Sequence, residues 1–157
     1  MEKFERDEVM SKNPIFRVAA KLLFAPIIMF GLYVQFHGDF GPGGGFQAGV
    51  IVAAAFVLHA MVFGLEEGRK IISLQVNVWM MVLGVLIYGG VGIASILRQG
   101  GFLDYTALTG SVGSGQHLGV LLVEFGVGLT VASVMLALFH AFAGFKGRRN
   151  VDLSGHR

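Results

Sequence analysis

Four stretches of this chain, 16–36, 46–64, 76–97 and 118–142, carry three charges between them: Arg17, Lys21 and Glu124. A hydrocarbon layer of about 30 Å is spanned by ~20 mostly apolar residues in a helix, and each stretch meets that length. Composition agrees, with 54% hydrophobic residues, 14% charged and a mean hydropathy of +0.70. Such a chain has too little polar surface to cover a soluble core, so most of these side chains must face lipid or other subunits. The pattern predicts an all-α integral membrane protein of four transmembrane helices, forming a single domain over residues 1–157.

The basic residues set the expected orientation. Lys3, Arg6, Lys12 and Arg17 precede or open the first span, Arg69 and Lys70 lie in the middle loop, and Lys146, Arg148, Arg149 and Arg157 follow the last. Lys21 lies near the same end of the first span and can snorkel toward it. Arg98 alone falls in the opposite loops. Basic residues concentrate on the cytoplasmic side, so both termini are expected there, with 37–45 and 98–117 outside. Residues 1–14 are polar and of mixed charge, unlike a cleavable signal peptide. The pI near 9.2 comes from these flanking bases. No basic stripe is interleaved with aromatics, so nucleic acid is not an expected partner.

Between the first two spans runs HGDFGPGGGFQAG, from His37 to Gly49. Gly41, Gly43, Gly44 and Gly45 permit positive φ and close backbone approach, while Pro42 fixes φ and lacks an N–H. Backbone of this kind is tolerated at membrane depth only where protein or water satisfies its polar groups. The run is therefore a membrane-edge turn or a short re-entrant element packed within a larger assembly. The other breaks are 65–75 and 98–117, the latter glycine-rich, the longest and expected to be the most mobile.

The spans carry stripes of small residues. Gly49, Ala53, Ala60 and Gly64 recur in the second, Gly84, Tyr88, Gly92 and Ser95 in the third, and Gly126, Thr130, Ser133 and Ala137 in the fourth. Small residues at helical spacing let helices approach closely, either within this four-helix unit or against partner subunits.

Ionisable groups inside the spans are the candidates for chemistry. Glu124 lies about two turns into the fourth span, where a carboxylate is costly unless it faces protein or water. His117, seven positions earlier, projects from the same helix face. An acid and an imidazole so placed can relay protons or flank a hydrated cation path; equally, Glu124 can bond a neighbouring helix and His117 mark the interface. His59, inside the second span, reads as a hydrogen-bonded core histidine and a lesser path candidate. His140 reads as interfacial, and Gln75, Asn77 and Trp79 as anchors at the inner boundary.

Other motifs fall away. Residues 43–48 match G-x-G-x-x-A formally, but they follow an apolar helix where a strand is required, and no βαβ pattern surrounds them. No Lys-Ser/Thr follows the glycines as in a P-loop. There is no cysteine, no H-E-x-x-H spacing and no nucleophile–base pair that can be assembled. A self-contained enzyme, a metal centre and a bound cofactor are not expected.

Pro42-Gly43-Gly44-Gly45-Phe46, preceded by His37-Gly38 and followed by a small-residue helix with Gly49, resembles the MnhB/MrpB family, the B subunits of multisubunit Mrp-type cation/proton antiporters. The resemblance spans the four-helix layout and reaches EFGVGLTV, residues 124–131, which is similar to the family's acidic segment in its last helix. Residues 1–12 and 147–157 fall outside it. Glu124 stands where the family pattern has aspartate, and Ala48 where a Gly-Gly pair is common. The resemblance implies an accessory subunit of a large hetero-oligomer in a bacterial inner (plasma) membrane. It implies other antiporter subunits and lipid as partners, with Na+ and H+ as transported ions. Large subunits would carry the main proton route, and this chain would pack beside them and help line the cation path. The same fold as a module of a hydrogenase-like or complex I-related respiratory complex is the alternative, and a purely architectural subunit is a third.

Overall fold

The structure, a computed structural model, describes residues 13–38, 43–98, 100–105 and 112–154. Its elements are α1 (Pro14–Phe36), α2 (Gly45–Phe63), α3 (Leu65–Ile71), α4 (Leu74–Leu97) and α5 (Val112–Ser154), with no strand among the described residues. Among the described residues, four helical segments are long and apolar enough to cross a membrane: Pro14–Phe36, Gly45–Phe63, Leu74–Leu97 and Gln116–Gly144.

Local chemistry sets the helix ends. Asn13 caps α1, its Oδ1 accepting from the Ile15 N–H at 3.4 Å, and Pro14 occupies the first turn where its missing N–H costs nothing. Pro26 lies inside α1, a position that membrane helices accommodate through neighbouring helices and local adjustment. Gly64, at φ +102°, ends α2 and turns the chain straight into α3. Ser73 caps α4, its Oγ accepting from the Val76 N–H at 3.2 Å.

Two parts of the predicted breaks are helical. The middle loop contains α3, with Glu66 and Glu67 in its first turn and Arg69 and Lys70 in its last, which complements the helix dipole. The long break is shorter than expected, because α5 already starts at Val112. Its described part, 100–105, seats two aromatics in glycine notches: Phe102 lies against Gly92 of α4, and Tyr105 against Gly119 of α5. The 43 residues of α5 make a rod of about 65 Å, twice the hydrocarbon thickness, so α5 continues beyond its span.

The helices pack in the order α1–α2–α5–α4, with α2 and α5 central. The small-residue stripes make these contacts. A Cβ built on Gly84 would strike Thr130 and the Gly126 carbonyl, and one on Gly126 would lie 2.8 Å from the Gly84 carbonyl, so α4 and α5 meet backbone to backbone. Gly49 approaches the Gly128 carbonyl in the same way across α2 and α5. The core is built from Ala53, Ala132 and Leu136, with Val52, Phe56, Val57 and Ile72 packed on it. Among the described residues, Ser95 and Ser133 are the largest side chains that are completely buried, and each bonds a carbonyl of its own helix, Val91 at 2.9 Å and Leu129 at 2.8 Å. Large apolar side chains point outward instead, with Trp79 72% and Leu97 78% exposed. Small residues inside and bulky ones outside suit association by close packing within lipid.

Candidate functional site

The glycine-rich turn and the intramembrane acid, some eighty residues apart in sequence, form one site. On the α1 arm, a Cβ built on Gly38 would lie 2.7 Å from Glu124 Oε2 and 3.0 Å from Oε1. On the α2 arm, one built on Gly44 would lie 3.0 Å from Oε1, and one on Gly45 would collide with the Glu124 main-chain carbonyl. Both arms of the turn thus close on the same residue of α5. Gly44 holds φ +153°, a conformation that side chains disfavour.

The electrostatics of this contact are specific. Gly44 is the N-cap of α2 and offers no side chain to the helix; the first intrahelical bond runs from the Ala48 N–H to the Gly44 carbonyl at 3.0 Å. The N–H groups of Gly45, Phe46 and Gln47 precede that bond and are left by helix geometry without an intrahelical acceptor. The half-buried Glu124 carboxylate sits at this end of α2, where the helix dipole favours negative charge. An acid from one helix therefore occupies the region that a capping side chain of another would fill.

The remaining candidates are placed as follows. His37 closes α1, its N–H bonding the Tyr33 carbonyl at 3.0 Å and its ring stacked on Tyr33 at 4.3 Å. Gly43 packs against Val34, Phe46 is exposed in the first turn of α2, and Gly49 is buried against α5. Pro42 lies outside the described residues. His117 is exposed on α5, two turns from Glu124, which is about 10 Å along the axis. His59 lies far from the site, fourteen residues along α2 from Gly45, or about 21 Å.

Three further polar residues have neighbours that hydropathy does not reveal. His59 is held by rings, edge-on to Phe24 at 5.7 Å and stacked on Phe63 at 4.5 Å; its buried Nδ1 has no hydrogen-bond partner among the described residues. His140, near the end of its span, is buried under α3: its Nδ1 lies 2.8 Å from the Leu136 carbonyl, and its ring faces Gly68 of α3. The short helix α3, invisible to hydropathy, is what covers it. Asn77, 4% exposed, is not a boundary anchor; its Nδ2 donates to the Ser133 carbonyl at 2.9 Å and ties α4 to α5. Trp79 is exposed, as an anchor requires.

Sequence reasoning missed Gln35. This amide is 6% exposed in α1, and a Cβ on Gly128 would lie 2.8 Å from its Oε1, one helical turn from Glu124. With Gly31, Gly49, Met80, Phe125 and Gly128 it lines a cleft of about 170 Å³ among α1, α2, α4 and α5. An uncharged amide in an otherwise apolar run was the available signal.

Outside the spans, three groups have shifted titration. The hydrogen bond and charge of Lys70, 2.6 Å away, hold the Glu67 carboxyl below the usual carboxylate range, and Glu67 raises Lys70 in return. Burial, with a smaller contribution from Tyr88, raises Tyr105. Among the described residues, no group of three or more His, Asp or Glu is placed to hold a metal ion.

Comparison with known proteins shows the family. A protein of Staphylococcus aureus (strain MRSA252) bearing the antiporter subunit mnhB2 name is 29% identical over 139 residues, 86% of this chain and 98% of that protein. Proteins of the same name from strains Newman and JH1 are 27% identical over the same length. Residues 15–137, which include the turn, the four spans to within a few residues and Glu124, match the family described as a domain related to the MnhB subunit of Na+/H+ antiporters. The chain is a multi-pass membrane protein belonging to the MnhB family.

Proposed function

We propose that this chain is the B subunit of a multisubunit Na+/H+ antiporter in the bacterial plasma membrane. It packs beside larger antiporter-like subunits, with both termini cytoplasmic and the glycine turn on the outer side. In this reading Glu124 and the turn form the working element, a carboxylate held about two turns inside its span beside the cation path, with His117 two turns toward the surface. The observation that carries it is the closure of Gly38, Gly44 and Gly45 on the Glu124 residue. An acid this deep is retained at a cost, and both arms of the turn are shaped around it. The names of the relatives favour the antiporter over a redox complex. His59, at the other end of α2, lies away from this element and is a lesser path candidate.

Everted membrane vesicles test the role of Glu124. Glu124→Gln keeps size and an acceptor oxygen but loses the charge, so the complex assembles while cation-induced dissipation of a preformed pH gradient falls at least tenfold. Glu124→Asp retains more exchange. Full exchange by Glu124→Gln at matched complex levels across the pH range would reduce Glu124 to a cap for α2. Orientation is read separately: a cysteine at Ser154 reacts with an impermeant thiol reagent only in everted vesicles, and its labelling in intact cells would reverse the topology.

A further inference from the structure

At the opposite end of α1, two cations converge on one ring. The Arg17 guanidinium lies 5.3 Å from the centroid of Phe63, and the Lys21 ammonium lies 5.7 Å from it. Both distances fall within the range of cation–π attraction. Arg17 and Lys21 are four residues apart on α1, so their like charges repel. Neither forms an ion pair with an acid among the described residues. Glu66 and Glu67, the acids of the neighbouring α3, are engaged by Arg69 and Lys70.

The depth of this cluster is defined. Phe63 is the last residue of α2, followed directly by Gly64 and the charged helix α3, so its ring marks the boundary between span and water. Lys21 starts one turn deeper than Arg17 and extends back to the same ring. His59, stacked on Phe63 at 4.5 Å, fixes the ring that both cations use. Next to the cations on α1, the exposed side chains of Ile15, Val18 and Leu22 form an apolar stripe that runs along the span. Two cations with no acid partner among the described residues, bordered by an exposed apolar stripe, match a ligand with an anionic head and a hydrocarbon tail.

We propose that Arg17, Lys21 and Phe63 form a binding site for the phosphate of an anionic phospholipid, with an acyl chain lying along Ile15, Val18 and Leu22. The phosphodiester relieves the repulsion between the two cations, and the ring limits their freedom before the lipid arrives. Basic residues near a membrane surface each strengthen binding of anionic lipid by about a factor of five, so two give a preference of about 25-fold.

The test uses the full chain reconstituted in phosphatidylcholine bilayers, with Trp79→Phe removing the native fluorophore and Val18→Trp placing one beside the cations. Brominated phosphatidylglycerol should quench this tryptophan with an association constant about 25-fold above that of brominated phosphatidylcholine. Arg17→Gln with Lys21→Gln should bring the ratio close to one, at unchanged helix content by circular dichroism. Phe63→Leu, which keeps both charges and the apolar bulk, should lower the ratio severalfold. In the chain that retains Trp79 on α4, the ratio should not respond to the Arg17 and Lys21 substitutions. Equal quenching by the two lipids, or a preference that survives either set of substitutions, overturns the site. Loss of the preference in millimolar inorganic phosphate would assign the cations to a free anion and overturn the lipid as occupant.

Discussion

Gly45→Ala is the smallest change that tests how the glycine turn meets Glu124. A Cβ at position 45 would collide with the Glu124 carbonyl oxygen and lie 2.7 Å from its carbon and 2.9 Å from its Cα. All three are backbone atoms of α5, so no rotamer change relieves the contact. Ordinary carbon contacts lie at about 3.5–4.0 Å, so α2 must withdraw from α5 by roughly 1 Å at this end. Overpacking of this kind costs about 1–3 kcal/mol, and a rigid crossing of two helices belongs at the upper end. The upper figure is a loss of over a hundredfold in the folded-to-unfolded ratio. Gly89→Ala and Gly90→Ala are the matched controls: both lie in α4, and a Cβ at either meets nothing within 4 Å. Removing an interior helical glycine there should be neutral or stabilising by up to about 1 kcal/mol. Denaturant titration of the purified chain in mixed micelles, followed by circular dichroism, compares the three. If Gly45→Ala titrates with Gly89→Ala, α2 and α5 do not meet at Glu124 and the site as described is wrong.

Gly44→Val should act on the same turn by a different route, combining an unfavourable φ of +153° with a Cβ 3.0 Å from Glu124 Oε1; the chain should still insert in the membrane, while native gels show less assembled complex. Asn77→Ala removes the bond to the Ser133 carbonyl but also a buried Oδ1 that has no partner among the described residues, so the net loss in the same titration should stay below about 1 kcal/mol. Tyr105 is expected to ionise above the usual tyrosine range, because burial penalises its phenolate. Its folded value is raised, so the stability it contributes is complete below the unfolded value and is lost as pH rises through the folded one. Tyr105→Phe should therefore keep the 100–105 segment on Gly119 at alkaline pH where the parent releases it, as read by protease cleavage after Arg98.

Much of the fold was legible because the bilayer imposes a length. The expected spans 16–36, 46–64, 76–97 and 118–142 lie within about two residues of the helical segments observed, since ~20 apolar residues in a row have few other uses. Hydropathy reports the solvent, however, and not the helix. It passed over α3, whose charges belong in water, although Glu66-Glu67 ahead of Arg69-Lys70 is a helical charge pattern. It also stopped short at both ends of α5, where glycines and charges give way to helix continuing out of the apolar segment. The burial of His140 and Asn77 was missed for a related reason: proximity to a span end suggests exposed side chains, whereas α3 covers one and α5 the other.

The candidate site shows what sequence patterning cannot separate. Consecutive glycines advertise backbone freedom, but the glycines of this turn are constrained by different neighbours. Gly44 needs its φ; Gly45 can adopt ordinary helical geometry and is excluded from bearing a Cβ by the main chain of α5. Gly43 meets chiefly the side chain of Val34, at 3.1 Å, which can move. Gly38, in the other arm, faces the Glu124 carboxylate itself. Substitutions should therefore rank with Gly45 the least tolerant and Gly43 the most, an order that follows from the atoms opposite each position and from nothing in the run of glycines. The same geometry explains why Glu124 and the turn belong together: shortening the side chain to aspartate draws the carboxylate back toward α5, and lengthening either arm of the turn lifts it from the carboxylate. In this chain the reach of Glu124 and the bareness of Gly38, Gly44 and Gly45 are two halves of one fit.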